Sequence, residues 1–176
     1  NELDSFGSVN ERFLNNMKAI KLVKQLEDEG RFASSEEQSI LARYVGWGGL
    51  SNAFSTTNDK WKKQYDQVKE LVADGTISEQ EYDEAKRTTQ YAHYTSKTII
   101  NSMYQALEGM GVKGGRVLEP GMGIGNFFGL MPEGWKADLT GVEYDGITGR
   151  MAKQLYQKAN VEIKPYQDFT IADNYF

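Results

Sequence analysis

The chain has 176 residues, enough for one domain or a domain with a helical extension, and its 39% hydrophobic and 26% charged residues suit a folded globular protein. It has no cysteine, which excludes a disulfide framework or a thiolate metal site, and no apolar run approaches the roughly 18 residues of a membrane span. A net charge of −5 argues against a strong free-standing nucleic-acid binder, because phosphate neutralisation drives that affinity. It leaves room for one part of an enzyme whose other part grips nucleic acid.

The start, Asn1-Glu2-Leu3-Asp4, is acidic and polar, unlike a secretory leader. A first residue other than Met reads as a fragment or a processed chain. Residues 10–29 carry Phe13, Leu14, Met17, Ile20, Val23 and Leu26 at helical spacing, with Gly30 as the stop. Ser34 with Glu37 three residues later opens a second helix through a capping box. That helix is predicted to carry Ile40, Leu41, Tyr44 and Val45 up to the break at Gly46-Trp47-Gly48-Gly49-Leu50. A Trp set among glycines is expected to anchor a packed turn rather than to bind a ligand. Residues 51–59 read as loop. A third helix covers 60–73, with Trp61, Tyr65, Val68, Leu71 and Val72 on one side, and Ser78 with Glu81 caps a short fourth. Residues 1–88 are thus a helical region with no evident chemistry.

The character changes near residue 88. Thr95 or Ser96 is expected to cap a helix bearing Ile99, Ile100, Met103, Tyr104, Leu107 and Met110. His93, the only histidine, is expected to pack or to donate from a second layer rather than to catalyse. A buried strand is expected near 116–119, followed by Glu119-Pro120-Gly121-Met122-Gly123-Ile124-Gly125-Asn126-Phe127. Three glycines at alternate positions past a strand end suit a loop that lets a ligand approach the backbone. A short helix near 126–130 and a second strand near 137–142 follow, ending in Glu143-Tyr144-Asp145. Glu143 lies 18 residues beyond Gly125, where nucleotide folds place an acid for ribose hydroxyls; a surface acid at a strand end is the other reading. A helix through Ile147, Met151 and Leu155 leads to a third strand at 161–164 and to Asp168-Phe169, an acceptor for an exocyclic amine and an aromatic that could stack on a base. Three strand–helix steps with polar groups at successive strand ends make one half of a doubly wound α/β sheet.

From Ala92 to Phe169 the chain resembles class I S-adenosylmethionine-dependent methyltransferases, in particular adenine-N6 DNA methyltransferases. The matching residues are Tyr94-Thr95, Glu119 to Phe127, Glu143 and Asp168-Phe169, in the family's order and spacing. Over most of its length the chain also looks like the methyltransferase region of large proteins of bacterial plasmids, phages and conjugative elements. There, that region is joined to a helicase. The shared stretches are Tyr44 to Gly49, Ala92 to Ser96 and Leu118 to Phe127.

The resemblance implies a helical N-terminal region (1–88) and the first half of a Rossmann-like methyltransferase sheet (89–176). It implies S-adenosylmethionine as cofactor, DNA as substrate gripped by parts outside this chain, a helicase in the same polypeptide and a bacterial cytoplasmic setting, with no membrane. Carried over residue by residue, Glu119, Pro120, Gly121, Gly123, Gly125, Asn126 and Phe127 would shape the methionine side, with Tyr94 and Thr95 closing over it. Glu143 and Tyr144 would take the ribose, and Asp168 and Phe169 the adenine. No metal is implied. The family's Asn/Asp-Pro-Pro-Tyr/Phe motif is missing, since Pro120, Pro132 and Pro165 are the only prolines and none sits in such a motif. The chain is therefore expected to be a truncated piece, inactive alone. Two other readings stay open: a non-catalytic interaction module with a degenerate methyltransferase fold, and a dinucleotide oxidoreductase. The latter expects G-x-G-x-x-G, whereas Gly125 comes one place too early.

Overall fold

The computed structural model describes residues 7–90 and 95–176. Among them are seven α-helices and one three-stranded parallel sheet, an α/β arrangement compatible with half of a Rossmann-like fold. The chain divides into two compact units, residues 1–93 and 94–176.

The first unit holds α1 (Val9–Asp28), α2 (Ser35–Leu41), α3 (Lys62–Ala73) and α4 (Glu79–Thr88). Three of these start at capping boxes, Ser8 with Glu11, Ser34 with Glu37 and Ser78 with Glu81. In each, the Ser hydroxyl accepts the third helical N–H and the Glu carboxylate accepts the Ser N–H, so two otherwise orphaned donors are satisfied. The core takes Phe13, Ile20, Val23 and Leu26 from α1, with Leu41, Leu50, Val68 and Leu71. Leu14, expected on the apolar face, is instead 42% exposed: it sits one residue round the helix from Phe13, outside the stripe that faces the core.

Helix α2 is shorter than its apolar spacing suggests. Tyr44 and Val45 are buried, but the helix stops at Leu41. The cause is Asn16 on α1, which is itself fully buried. Its Oδ1 accepts the Val45 N–H at 3.0 Å and its Nδ2 donates to the Gly46 carbonyl at 2.7 Å. A side chain about thirty residues away thus takes over backbone groups that would otherwise continue the helix. The same bonds seat Trp47, which is 1% exposed and packs edge-on against Phe54 (5.0 Å) and Phe13 (6.5 Å). The 51–59 stretch is not plain loop. A 3-10 turn at Ser51–Phe54 buries Ala53 and Phe54, and a second at Asp59–Trp61 precedes α3, which begins only at Lys62.

In the second unit α5 (Lys97–Gly109) is capped by Ser96, whose hydroxyl accepts the Ile99 N–H. Then come β1 (Gly114–Pro120), α6 (Asn126–Gly129), β2 (Lys136–Glu143), α7 (Gly146–Leu155) and β3 (Asn160–Ile163). The strands pair in the order β1-β2-β3, all parallel, with Glu119 opposite Gly141 and Glu143 opposite Ile163. Met122, Phe128, Ala152 and Val161 form the core of this unit, with Val117, Leu139, Tyr156 and Ala159 packed against it. Among the described residues the first strand lies at one side of the three-stranded sheet, its residues are half-buried or exposed, and the Arg116 guanidinium lies 4.4 Å from the Tyr175 ring centre.

Replacing Asn16 by Ala leaves a buried N–H and a buried carbonyl without partners, and is expected to cost about 2–4 kcal/mol. Urea unfolding followed by tryptophan fluorescence checks this; a midpoint unchanged from wild type would mean that water reaches both groups.

Candidate functional site

The site is built at the carboxyl ends of β1 and β2. Past Pro120 the chain turns through Gly121, Gly123 and Gly125, at φ of 66°, 57° and 82°. The end of β2 supplies the acceptors that hold this loop. The Val142 carbonyl takes the N–H groups of Gly121 (2.8 Å) and Met122 (3.1 Å). The Glu143 carboxylate takes the Gly123 N–H at 2.7 Å on one oxygen and the Asp145 N–H at 2.8 Å on the other. Asp145 in turn caps α7, its Oδ1 accepting the Thr148 N–H at 2.7 Å.

Two glycines show that the loop has a closed side and an open side. A Cβ on Gly125 would lie 2.4 Å from Cε2 of Tyr156, so only glycine fits beneath that ring. The Tyr156 hydroxyl donates to the Gly125 carbonyl at 2.6 Å, and its ring packs edge-on against Phe128 at 5.5 Å. A Cβ on Gly121 would meet nothing within 4 Å among the described residues. Among them the first glycine therefore faces open space, and the last is pinned to the core.

Glu119 lies just before this loop, half-buried, and its Oε2 is a buried oxygen with no hydrogen-bond partner among the described residues. Burial, and then the neighbouring Glu143 charge, push its pKa up to about 8. Burial and then the same Glu119 charge raise the hydroxyls of Tyr104 and Tyr156 to about 12. Tyr104 fastens α5 to the loop region, its hydroxyl donating to the Phe127 carbonyl at 2.7 Å.

Of the residues expected at the site, Glu119, Gly121, Gly123, Gly125 and Glu143 come together here, and Asn126 and Phe127 form the first turn of α6 beside them. Pro120, paired with Val142, ends β1. Tyr144 is 47% exposed. Asp168 is exposed and closes a 3-10 turn after β3, and Phe169 stacks on Tyr166 at 6.3 Å between centroids. Thr95 is exposed, and Ser96 rather than Thr95 is the helix cap. Tyr94, like His93, lies outside the described residues. Sequence reasoning missed Tyr156, although glycines at 125 and 129 mark the space it fills: a Cβ on Gly129 would lie 2.6 Å from its hydroxyl.

The fold and loop define an α/β protein with a glycine-rich turn at the carboxyl end of a parallel strand, where such sheets hold ligands. No family model matches the chain, and no solved structure matches it. Among curated proteins it is similar to the Defense against restriction protein B of Escherichia phage P1, 26% identical over 157 residues. The match covers 89% of this chain and 5% of that protein, so the chain spans about a twentieth of the length of its relative. Among the described residues no helix is long and apolar enough to cross a membrane, and no group of three or more His, Cys, Asp or Glu could hold a metal ion.

Glu119 binds its proton more tightly folded than unfolded, since its folded pKa of about 8 lies above the ordinary carboxylate range. Its contribution to stability is therefore complete below the unfolded pKa and is lost as pH rises through about 8. Unfolding free energies from urea titrations are expected to fall across this window, by up to about 1.4 kcal/mol per pH unit, and Glu119→Gln to remove that slope. Parallel profiles for the two proteins would show that Glu119 ionises freely in the fold. Separately, Gly125→Ala is expected to cost about 1–3 kcal/mol more than Gly134→Ala. Both positions have positive φ, but only Gly125 meets a ring; equal melting temperatures would remove the ring contact as the constraint.

Proposed function

We propose that this chain is the S-adenosylmethionine-binding portion of a DNA adenine-N6 methyltransferase within a longer bacterial or phage protein that also carries a helicase. One observation carries the reading furthest: among the described residues, a buried carboxyl oxygen on Glu119 without a hydrogen-bond partner, beside a glycine loop that is open at Gly121, at the carboxyl end of a parallel strand. A cofactor carrying a cationic amine fits that donor set, because a buried carboxyl without a partner is stabilised by an N–H donor or a positive charge.

Bound there, the cofactor supplies a methyl group on a good leaving group, so the protein's task is placement. Glu119 would receive the cationic part, ionising as it does so and releasing a proton. The glycine loop would bring the backbone close, with Asn126 and Phe127 behind it. Glu143 would hold the loop and offer its remaining lone pairs to hydroxyls; Tyr144, Asp168 and Phe169 would face the nucleoside. Tyr94 and Thr95 would close the amino-acid end. None of these residues abstracts a proton from the substrate, and the residues that do the chemistry on adenine would lie outside this chain. The relative's name ties that protein to defence against restriction, and a methyl group on adenine N6 alters the major-groove edge that a nuclease reads.

A second reading has its own support. Both Glu143 oxygens already accept backbone N–H groups, so the loop is held closed by the protein itself, as in a degenerate fold kept as an interaction module. Calorimetric titration with S-adenosylmethionine separates the two. One-to-one binding, abolished in Glu143→Ala and accompanied by proton release that Glu119→Gln removes, is expected. Absence of binding both here and in a longer piece that includes the Pro-Pro motif would sink the methyltransferase.

A further inference from the structure

A different surface, within the first unit, shows a pattern that the proposed cofactor site does not use. Between α1 and α2 runs an open groove of about 490 Å³. Lys18 and Lys21 line it from α1 and Arg43 from just beyond α2, and no carboxylate stands among its lining residues. In a chain with 25 acidic and 20 basic residues, that segregation is notable. The protein's other cations often have partners: Lys24 pairs with Asp28, Arg31 with Glu29 and Glu37, and Lys62 with Asp66. Among the described residues Lys18 and Arg43 form no ion pair. Lys21 has only a longer-range neighbour, Asp74, whose carboxyl is held low first by hydrogen bonds from Thr76 and then by Lys21 and Lys24.

We infer that this groove seats the phosphodiester backbone of duplex DNA, with Lys18, Lys21 and Arg43 as phosphate contacts. The inference rests on the DNA-modifying reading above for the choice of nucleic acid, and on the groove itself for the contact. Three unpaired or loosely paired cations facing one concavity are the electrostatic footprint of a polyanion. The Asn15 amide, also in the lining, is a further group of the kind that bonds phosphate oxygens. The groove holds no aromatic side chain, so it offers no stacking platform for the bases of a single strand. The groove's exposed lining is more apolar than polar, but Leu22 and a partly exposed Ile40 are its only apolar side chains, fewer than the row of anchors an acidic amphipathic helix would use. The contact is sequence-independent and weak, in keeping with the overall negative charge. It orients DNA rather than selects a site.

Fluorescence anisotropy of a short labelled duplex against the whole chain, over a series of low salt concentrations, tests this. Three phosphate contacts give a slope of log K against log salt of about −2.7, and each of Lys18→Ala, Lys21→Ala and Arg43→Ala is expected to reduce it by about 0.9. Affinity for unrelated duplexes should fall alike. Lys63→Ala, on α3 and outside the groove, should leave the slope unchanged, and unaltered thermal unfolding of the variants shows that they fold. No binding at the lowest salt, a slope unaffected by the triple variant, or equal competition by polyglutamate would overturn the proposal, the last in favour of an acidic protein partner. DNA binding that survives Glu143→Ala while S-adenosylmethionine never binds would keep the groove and discard the methyltransferase. Cofactor binding without DNA binding would do the reverse.

Discussion

One carboxylate ties the second unit together. Glu143 stands at the end of β2 and receives an N–H from the glycine loop on one oxygen and an N–H from the approach to α7 on the other. A loop with three left-handed glycines has little local preference for a single shape, so its order must come from elsewhere. It comes from β2: Val142 supplies a carbonyl to two loop N–H groups and the next residue supplies the carboxylate. Those acceptors are in place because β1 and β2 pair in a register that sets Pro120 opposite Val142. Strand pairing therefore fixes the loop.

This organisation separates two acids that sequence alone treats alike. Glu143 is spent on backbone N–H groups of the loop and of the approach to α7. Glu119, two residues before Gly121, has an oxygen buried with no donor, close enough to Glu143 to feel its charge. One acid is structural in the free protein; the other is held protonated over most of the neutral range.

Local signals in the sequence located most elements. Serine followed by glutamate three residues on marked helix starts at Ser34 and Ser78, and the glycine run with its flanking apolar segments located β1, β2 and their loop. What was not legible depended on partners far along the chain. Helix α2 ends where Asn16 captures Val45 and Gly46, a competition that no window around residue 42 contains. Tyr156 reaches back across thirty residues to Gly125, and its role shows only when the ring is found over the space where a Cβ would go. At the site, the residue types were foreseeable, but the use of Glu143 as a backbone clamp was not, because an acid at a strand end has the same spelling whether it meets a ribose or an amide.

The capping boxes have a consequence for how the chain acquires its structure. All three lie in the first unit, and each closes over three residues, so the starts of α1, α2 and α4 are specified by contacts of minimal sequence separation. The second unit must instead bring β1 to β2 and β2 to β3 across intervening connections, paying chain-closure entropy before any ladder bond forms. Of the two halves, the one that leaves the ribosome first is the one whose helix starts need no distant partner.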